Sequence, residues 1–323
     1  MIKQITKILL TFILILILAI IYLSVIGIKT DKFNDQIKKS VLKINNKINF
    51  VLNEATYLLN PYNFSINVTT KNPQILIEDS RLGIKSIKTN IPLKSLINEK
   101  LSIDDLQIST KEIKLNDLIL LARTFHNTPQ LFILNTIIKD GFIAADININ
   151  FDSEGKIKEN YQVVGFIKKT KFDIINKFSV KDLNLSFNIS KNKYSLSQIE
   201  TVLNNIVIKS PLIQVEEKKD LYLINGTVLN KNKKIDSKNL KPMFGNLLKD
   251  LDLKEIEFSS TNNFSFTINK KLKFDDLKVE TTIDLDQLTL IEKHLNLEHY
   301  LPNFKEEIKF KNHKIKIDYN KNE

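Results

Sequence analysis

The longest uncharged stretch of this chain lies near its start. Ile8 to Ile28 comprises 21 residues without a charged side chain, and 16 of them are Ile, Leu, Val or Phe. As an α-helix the stretch would be about 31 Å long, which matches the hydrocarbon thickness of a bilayer. A buried helix of a soluble protein would show a polar face, and a cleaved signal peptide would have a shorter apolar core followed by an Ala-x-Ala pattern. We therefore predict an uncleaved transmembrane helix over residues 8–28.

This anchor divides the rest of the chain into a short tail, residues 1–7, and about 295 residues that must lie on one side of a membrane. Lysines occur on both sides of the span, so the positive-inside rule does not decide the orientation. Because long C-terminal segments are translocated largely regardless of charge, we predict a cytoplasmic N-terminus and a bulk outside the cytoplasm. The absence of cysteine agrees with an oxidising compartment. The anchor positions are Ile8, Phe12, Leu16, Ile20, Leu23 and Ile28.

The chain is basic, with a net charge of +11 and a pI of about 9.4. A basic balance attracts nucleic acids or anionic lipid head groups. Here the lysines are spread along the whole chain, and Arg81 and Arg123 are the only arginines. We therefore interpret the charge as solvated lysines on strand faces, and we predict no nucleic-acid partner.

Beyond residue 44 the apolar residues recur with a period of two. The clearest stretches are Leu183 to Ile189 and Phe264 to Ile268, in which every second residue is apolar and those between are Asn, Ser or Thr. This is the pattern of strands with one apolar and one wet face. The same alternation occurs at Ile87 to Leu93, Ile143 to Phe151, Leu277 to Leu285 and His313 to Tyr319. Turn signals at Asp140-Gly141, Asp152 to Gly155, Asn225-Gly226 and Asn230 to Lys233 predict short connections, and hence antiparallel neighbours.

Few stretches predict helices. Residues 29–43 space Phe33, Ile37 and Val41 four apart and predict a juxtamembrane helix. Further helices are predicted at Asn116 to Phe125 and at Ser237 to Leu251. Leu131 to Lys139 suits a helix or a strand, with its second half favoured as a strand, and Leu285 to Leu295 is a further short candidate.

A sheet with one apolar face must cover that face. The predicted helices are too few to do so along about fifteen strands, which at 4.8 Å spacing would form a ribbon of about 70 Å. Either the sheet closes into a packed sandwich, or it curls into a long open trough whose wall is covered by other material, such as acyl chains. We favour the trough. Its wall would comprise Ile143, Ile147, Ile149, Phe151, Leu183, Leu185, Phe187, Phe264, Phe266 and Ile268.

The segment from Asn72 to Gly226 resembles the AsmA-like and YhdP-like bacterial envelope proteins. The phrases that carry the resemblance are Asn72 to Ile77, Leu101 to Ile108, Ile113 to Leu118, Gly141 to Asp152 and Tyr222 to Gly226. The N-terminal anchor resembles that family too. These phrases are strand and turn patterns and include no catalytic signature.

The resemblance implies a mainly β protein, in which an inner-membrane helix precedes a periplasmic β-groove domain over residues 44–323. It also implies a role in phospholipid transport to the outer membrane or in maintaining that membrane, with phospholipid acyl chains and the inner membrane as partners. Members of the family are usually longer, and this chain stops after a well-patterned strand, Lys314 to Tyr319. Either an envelope protein pairs with that C-terminal edge strand, as a scaffold function would require, or the chain is a truncated member.

The sequence contains no nucleophile elbow, no P-loop and no dinucleotide fingerprint. The spacing of His294 and His299 does not suit two metal ligands on one helix face, and the paired carboxylates at Asp104-Asp105 and Asp275-Asp276 are explained by turn chemistry. We therefore expect no catalytic residues, no metal site and no cofactor.

Overall fold

The computed structural model of the protein describes residues 2–32, 34, 35, 38, 48–77, 80–97, 103–125, 127–152, 156–174, 178–235, 252–269, 273–291, 299–304 and 307–320. The described strands are assigned to one antiparallel sheet of 17 strands that is not closed. Helices are few, so the prediction of a mainly β protein with an N-terminal helix and a large antiparallel sheet is confirmed. The chain divides into two compact units, unit 1 (Met1–Phe132 and Ile143–Gly165) and unit 2 (Ile133–Phe142 and Phe166–Glu323).

The N-terminal helix, α1 (Ile2–Val25), is longer than the predicted anchor at one end and shorter at the other. Within the described residues it is the one helix long and apolar enough to cross a membrane. It ends at Val25, and Gly27, two residues on, has a φ of +70°, a conformation that glycine adopts without steric cost after a helix C-terminus. The amide nitrogens of Ile26 and Gly27 both donate to the carbonyl oxygen of Tyr22, at 2.9 and 3.1 Å.

A strand follows this helix at once. Strand β1 (Ile28–Thr30) pairs with β3 (Ala55–Asn60), so that Ile28 lies opposite Tyr57. Ile28 is therefore part of the sheet and not of the anchor, and the predicted juxtamembrane helix does not begin at residue 29. Of the remaining residues of that prediction, the structure describes Asn34, Asp35 and Lys38 as helical, and most of the others lie outside the described residues.

Unit 1 is built on short antiparallel strands in which β3 pairs with β4, β4 with β6, β6 with β7 and β7 with β9. Beside them, β5 pairs with both β2 and β6. The bounds of these strands are β2 (Ile48–Val51), β4 (Ser65–Lys71), β5 (Gln74–Ile77), β6 (Ser80–Pro92), β7 (Asp105–Thr110), β8 (Ile113–Lys114) and β9 (Ile138–Asn150). The further described helices are α2 (Leu93–Ile97), α3 (Leu115–Phe125) and α4 (Pro129–Ile137), and the segment Ile133–Phe142, with the end of α4 and the start of β9, belongs to unit 2.

Unit 2 is a meander of longer strands in which each strand from β11 to β17 pairs with the next one along the chain. Two-residue turns connect the first of these, because Asn192, Asn204 and Asn205 adopt the positive φ that tight hairpins need. The strands are β10 (Gln162–Ile174), β11 (Phe178–Ser190), β12 (Lys193–Leu203), β13 (Ile206–Lys218), β14 (Leu221–Ile235), β15 (Asp252–Asn269), β16 (Phe274–Ile291) and β17 (Glu307–Asn320).

Several local predictions need correction. The predicted turns at Asp140-Gly141, Asn225-Gly226 and Asn230 to Lys233 lie inside β9 and β14 and are wrong. The helix at Asn116 to Phe125 is confirmed as α3, whereas β16 continues as a strand to Ile291, where a helix had been expected. Between Leu131 and Lys139 the chain stays helical to Ile137, so only the last two residues are strand. The helix predicted at Ser237 to Leu251 lies outside the described residues.

Candidate functional site

Unit 2 presents an apolar face because apolar residues of successive strands lie directly opposite one another. In antiparallel sheets, residues that face each other across a pair project to the same side. One such row, which we call the central row, crosses seven strands, β11 to β17, and would span about 29 Å at the usual strand spacing. Its members are Phe187, Leu196, Ile213, Gly226, Phe264, Val279 and Tyr319.

A second apolar row runs beside the central row, displaced from it by two residues on each strand. It is formed by Ile189, Tyr194, Val215, Ile224 and Phe266. The ring of Phe266 lies 5.9 Å from that of Phe264 and 5.4 Å from that of Phe274, between ring centroids. Aromatic side chains therefore join the two rows into one continuous surface.

The other side of the same strands is polar. On each strand, the residue next to the member of the central row, on the side of the second row, projects to the opposite face. These residues form a polar row: Asn188, Ser195, Gln214, Asn225, Ser265, Lys278 and Asn320. This is the arrangement that period-two alternation predicts, one apolar face and one solvated face. The apolar side chains of both rows are mostly half-buried, because they are covered by their neighbours on the sheet.

Gly226 is the one member of the central row without a side chain, and an aromatic ring occupies its place. A Cβ atom on Gly226 would lie 3.0 Å from the ring of Phe264 and 2.9 Å from Cγ1 of Ile213. Such distances are shorter than ordinary van der Waals contact, so a side chain at position 226 would displace Ile213 or Phe264. The Asn225-Gly226 pair therefore serves close packing within a strand and not a turn.

A polar band interrupts the apolar face of unit 2 in the middle of β14, β15 and β16. Thr281 donates from Oγ1 to Oδ1 of Asn262 at 3.0 Å, and the amide of Asn262 donates to Oγ of Ser260 at 3.1 Å. Asn230, opposite Ser260, is buried, and its amide donates to the carbonyl oxygen of Phe258 at 3.1 Å. Alternation of apolar residues did not reveal this band, since Asn and Ser in a strand pattern are expected on the wet face.

Beyond the polar band the face is apolar again. Ile206 and Ile235 are buried there, and Ile208, Ile256 and Phe258 pack against them. The row Ile235, Ile256, Leu288 and Phe310 continues this region as far as β17. The unit 2 face thus consists of two apolar regions on either side of a narrow hydrogen-bonded band.

Unit 1 has an apolar face of its own, and its first member follows the membrane helix. Ile28 in β1 opens a row that continues through Tyr57, Val68, Thr89, Leu106 and Ile149. Alternate residues in these strands, such as Lys29, Asn67, Lys88 and Gln107, face the other side. The row therefore begins three residues after the last residue of α1.

Part of the unit 1 face is covered by the chain itself. Leu82 and Ile113 form a buried cluster, and Leu118 and Leu121 of α3 pack against it together with Ile143. Of the residues predicted to line a trough, Ile143 therefore belongs to a packed core. Ile147 and Ile149 lie in the sheet opposite Ile108 and Leu106, and Phe151 forms an isolated bridge with Ile157.

The remaining predicted wall residues belong to unit 2 and share its apolar face. Phe187 and Phe264 lie in the central row, and Phe266 in the second row. Ile268 is opposite Tyr222. Leu183 and Leu185 are half-buried in β11, whereas Phe187 is only 7% exposed. Phe187 is therefore a packing residue, and a charge placed there would destabilise the sheet.

Several charged groups of unit 2 form ion pairs on β14, β15 and β17. Lys254 hydrogen-bonds Glu307, which also lies 3.3 Å from Lys309, and Lys234 hydrogen-bonds Glu255. The hydrogen bonds from these lysines hold the pKa of Glu255 and Glu307 below its ordinary value. In unit 1, burial is the main cause that raises the pKa of Asp105. Among the described residues, no group of three His, Cys, Asp or Glu side chains is placed to hold a metal ion.

No protein-family model, curated protein or solved structure matches the chain. The resemblance to AsmA-like proteins therefore stays a prediction.

Proposed function

We propose that this protein is anchored in a membrane by α1 and binds lipid acyl chains on the apolar faces of its sheet. The observation that carries the proposal is the central row, an apolar line across seven strands of unit 2. Its length of about 29 Å is roughly twice the 15 Å or so that the acyl chains of one leaflet occupy in a bilayer. The row is therefore long enough for an extended acyl chain to lie along it, and the two are alike in polarity.

The membrane helix supports acyl chains as the ligand in preference to other apolar molecules. In unit 1 an apolar row begins at Ile28, directly after a helix long enough to cross a bilayer. With this helix in a membrane, lipid is the apolar ligand at highest local concentration beside the sheet. The polar band of unit 2 further suits a ligand that carries an ester or hydroxyl group between apolar parts.

The compartment and the physiological role rest on the resemblance alone. We propose a single-pass protein of the inner membrane, with a cytoplasmic N-terminus and its bulk in the periplasm. In that place, acyl-chain binding would contribute to phospholipid transport to the outer membrane or to maintenance of that membrane. We assign the chain no catalytic residues and no cofactor.

The proposal is tested by site-specific photocrosslinking in bacterial membranes. p-Benzoylphenylalanine replaces Phe266 in one variant of the full chain and Ser265 in the other, so that neighbouring residues of β15 place the probe on opposite faces. We expect a phospholipid adduct, identified by mass spectrometry, at position 266 and none at position 265. Absence of lipid adducts at 266, or equal yields at both positions, would contradict acyl-chain binding on the apolar face.

A second function, as an envelope scaffold, is favoured by one observation. β17 pairs with β16 throughout its length, yet most of its residues are exposed, including Ile315, Ile317 and Tyr319 at 41–51%. An exposed strand of 14 residues can accept an added strand from another protein. A stoichiometric partner protein that is lost on Ile317→Pro, which removes a backbone donor, would support this function.

A further inference from the structure

The turn that joins β3 and β4, residues 61–64, lies beside the membrane helix. β3 runs antiparallel to β1, with Tyr57 opposite Ile28, so the residues after Tyr57 lead back toward α1. Asn60, the last residue of β3, is three residues past Tyr57, or about 10 Å along the strand. We call residues 61–64 the aromatic turn, because two of the four are Tyr62 and Phe64.

One side of α1 is less exposed than the rest of the helix. Ile20, Leu23 and Ser24 are partly covered and Gly27 is buried, whereas most other residues of α1 are exposed. These four are spaced along one helix face. A Cβ atom on Gly27 would lie 2.4 Å from the carbonyl oxygen of Tyr57, and β3 is the strand in contact with α1. Ile20 lies seven residues before Gly27, about 10 Å along the axis, which is the distance that separates Tyr57 from Asn60 along β3.

The level of the aromatic turn coincides with the expected edge of the bilayer. The candidate span runs from Lys3 to Val25, and Ile20, at the level of the aromatic turn, lies five residues or about 8 Å before its last residue. Tyr22 is 53% exposed, and tyrosine is enriched at the boundary between hydrocarbon and head groups. The aromatic turn is therefore at the height of this boundary when α1 crosses a membrane.

The turn itself is built unlike an ordinary turn in water. Tyr62 is 93% exposed and Phe64 is 73% exposed. Phe64 also has a φ of 48°, a left-handed conformation that is unfavourable for a bulky residue and that Gly or Asn would adopt more readily. Hydrogen bonds hold it there, from the amide of Asn63 to Oδ1 of Asn60 at 3.3 Å and from the amide of Leu93 to the carbonyl oxygen of Phe64 at 2.8 Å.

We propose that the aromatic turn is a second membrane contact, in which Tyr62 and Phe64 insert into the head-group region of the bilayer beside α1. The bilayer is the partner because the turn lies beside a helix that is long enough to cross it, close to the level of the exposed Tyr22. A single helix would leave unit 1 free to rotate about the helix axis. Two contacts, the helix and the turn, fix the orientation of unit 1 at the membrane. This inference does not depend on acyl-chain binding by the sheet faces.

The chain has no tryptophan, so a single introduced tryptophan reports its own surroundings. We choose Phe64→Trp and, as a matched control, Lys71→Trp in the full chain. Lys71 is exposed and lies at the opposite end of β4, about 20 Å from the turn. Both variants are reconstituted into phosphatidylcholine vesicles with and without lipids brominated at positions 6 and 7 of the acyl chain.

We expect the Phe64→Trp protein to emit at a shorter wavelength than the Lys71→Trp protein and to lose at least half its emission to brominated lipid. Lys71→Trp should be quenched by less than about a tenth of its emission. Equal emission maxima and equal weak quenching for the two variants would overturn the proposal. Tyr62→Trp gives an independent second reading at the same turn, and circular dichroism shows whether each variant retains its strand content.

Discussion

At the residue scale, Gly27 decides how the membrane helix joins the sheet. Its left-handed φ of +70° ends α1, and the missing side chain lets the carbonyl oxygen of Tyr57 approach. A glycine directly after an apolar run is a known helix stop signal. The sequence therefore contained the information to end the helix before Ile28, but uninterrupted hydrophobicity up to Ile28 extended the predicted anchor too far.

We predict that Gly27→Ala destabilises unit 1 by about 2 kcal/mol or more, because alanine is disfavoured at positive φ and its Cβ would meet a backbone atom that cannot move aside. Gly83→Ala is the matched control, since its Cβ would meet only the side chain of Lys111, at 3.2 Å, and should change stability by less than about 0.5 kcal/mol. Thermal unfolding in detergent, followed by circular dichroism, measures both. Equal melting temperatures for the two variants would contradict this role of Gly27.

At the element scale, the strands of unit 2 keep one face apolar by means of bulges. Lys169, Asp182, Gln198, Asp276 and Asn312 lie within strands and adopt positive φ. A bulge adds an extra residue to its strand. Without it, the apolar side chains that follow would project to the opposite face of the sheet from those that precede it. In β12, for example, the extra residue opposite β11 leaves Leu196 and Ile199 on the same face on either side of Gln198.

The sequence predicts uninterrupted alternation well and bulges poorly. Leu183 to Ile189 and Phe264 to Ile268 show a strict period of two, and both stretches are strands. Gln198 and Lys169 carry no local signal of left-handed backbone, which is common only for Gly, Asn and Asp. Glycines inside β9 and β14 were mistaken for turns, because the packing that selects them, such as the ring of Phe264 over Gly226, involves residues distant in sequence.

We predict that Gln198→Val destabilises unit 2 by about 1–2 kcal/mol, because a β-branched side chain is strongly disfavoured at a φ of 53°. Ser197→Val, one residue earlier on the regular part of β12, should be within about 0.5 kcal/mol of wild type. Urea unfolding of the two variants tests this difference. If Ser197→Val were as destabilising as Gln198→Val, the left-handed backbone would not be the cause.

At the scale of the whole molecule, the chain is a sheet protein with one apolar side in each unit and a helix that can cross a membrane. Alternation in the sequence predicted which residues share a face, as the central row and its polar neighbour row demonstrate. It did not predict the packing of α3 over Ile143, nor the polar band around Asn262, since both depend on the register between strands. This one-sidedness is the basis on which we propose acyl-chain binding.

The most direct test is the amount of phospholipid that the purified full chain retains. The face variant Ile224→Asn/Phe266→Asn places two amides opposite each other in the second apolar row, and Ser265→Asn places one on the polar face. All proteins are purified in the same detergent, so lipid held around α1 is common to them, and circular dichroism verifies their strand content. We predict that wild type and Ser265→Asn retain equal phospholipid by mass spectrometry, and that the face variant retains at least one molecule per chain fewer. Equal retention by all three proteins would contradict lipid binding on the apolar face.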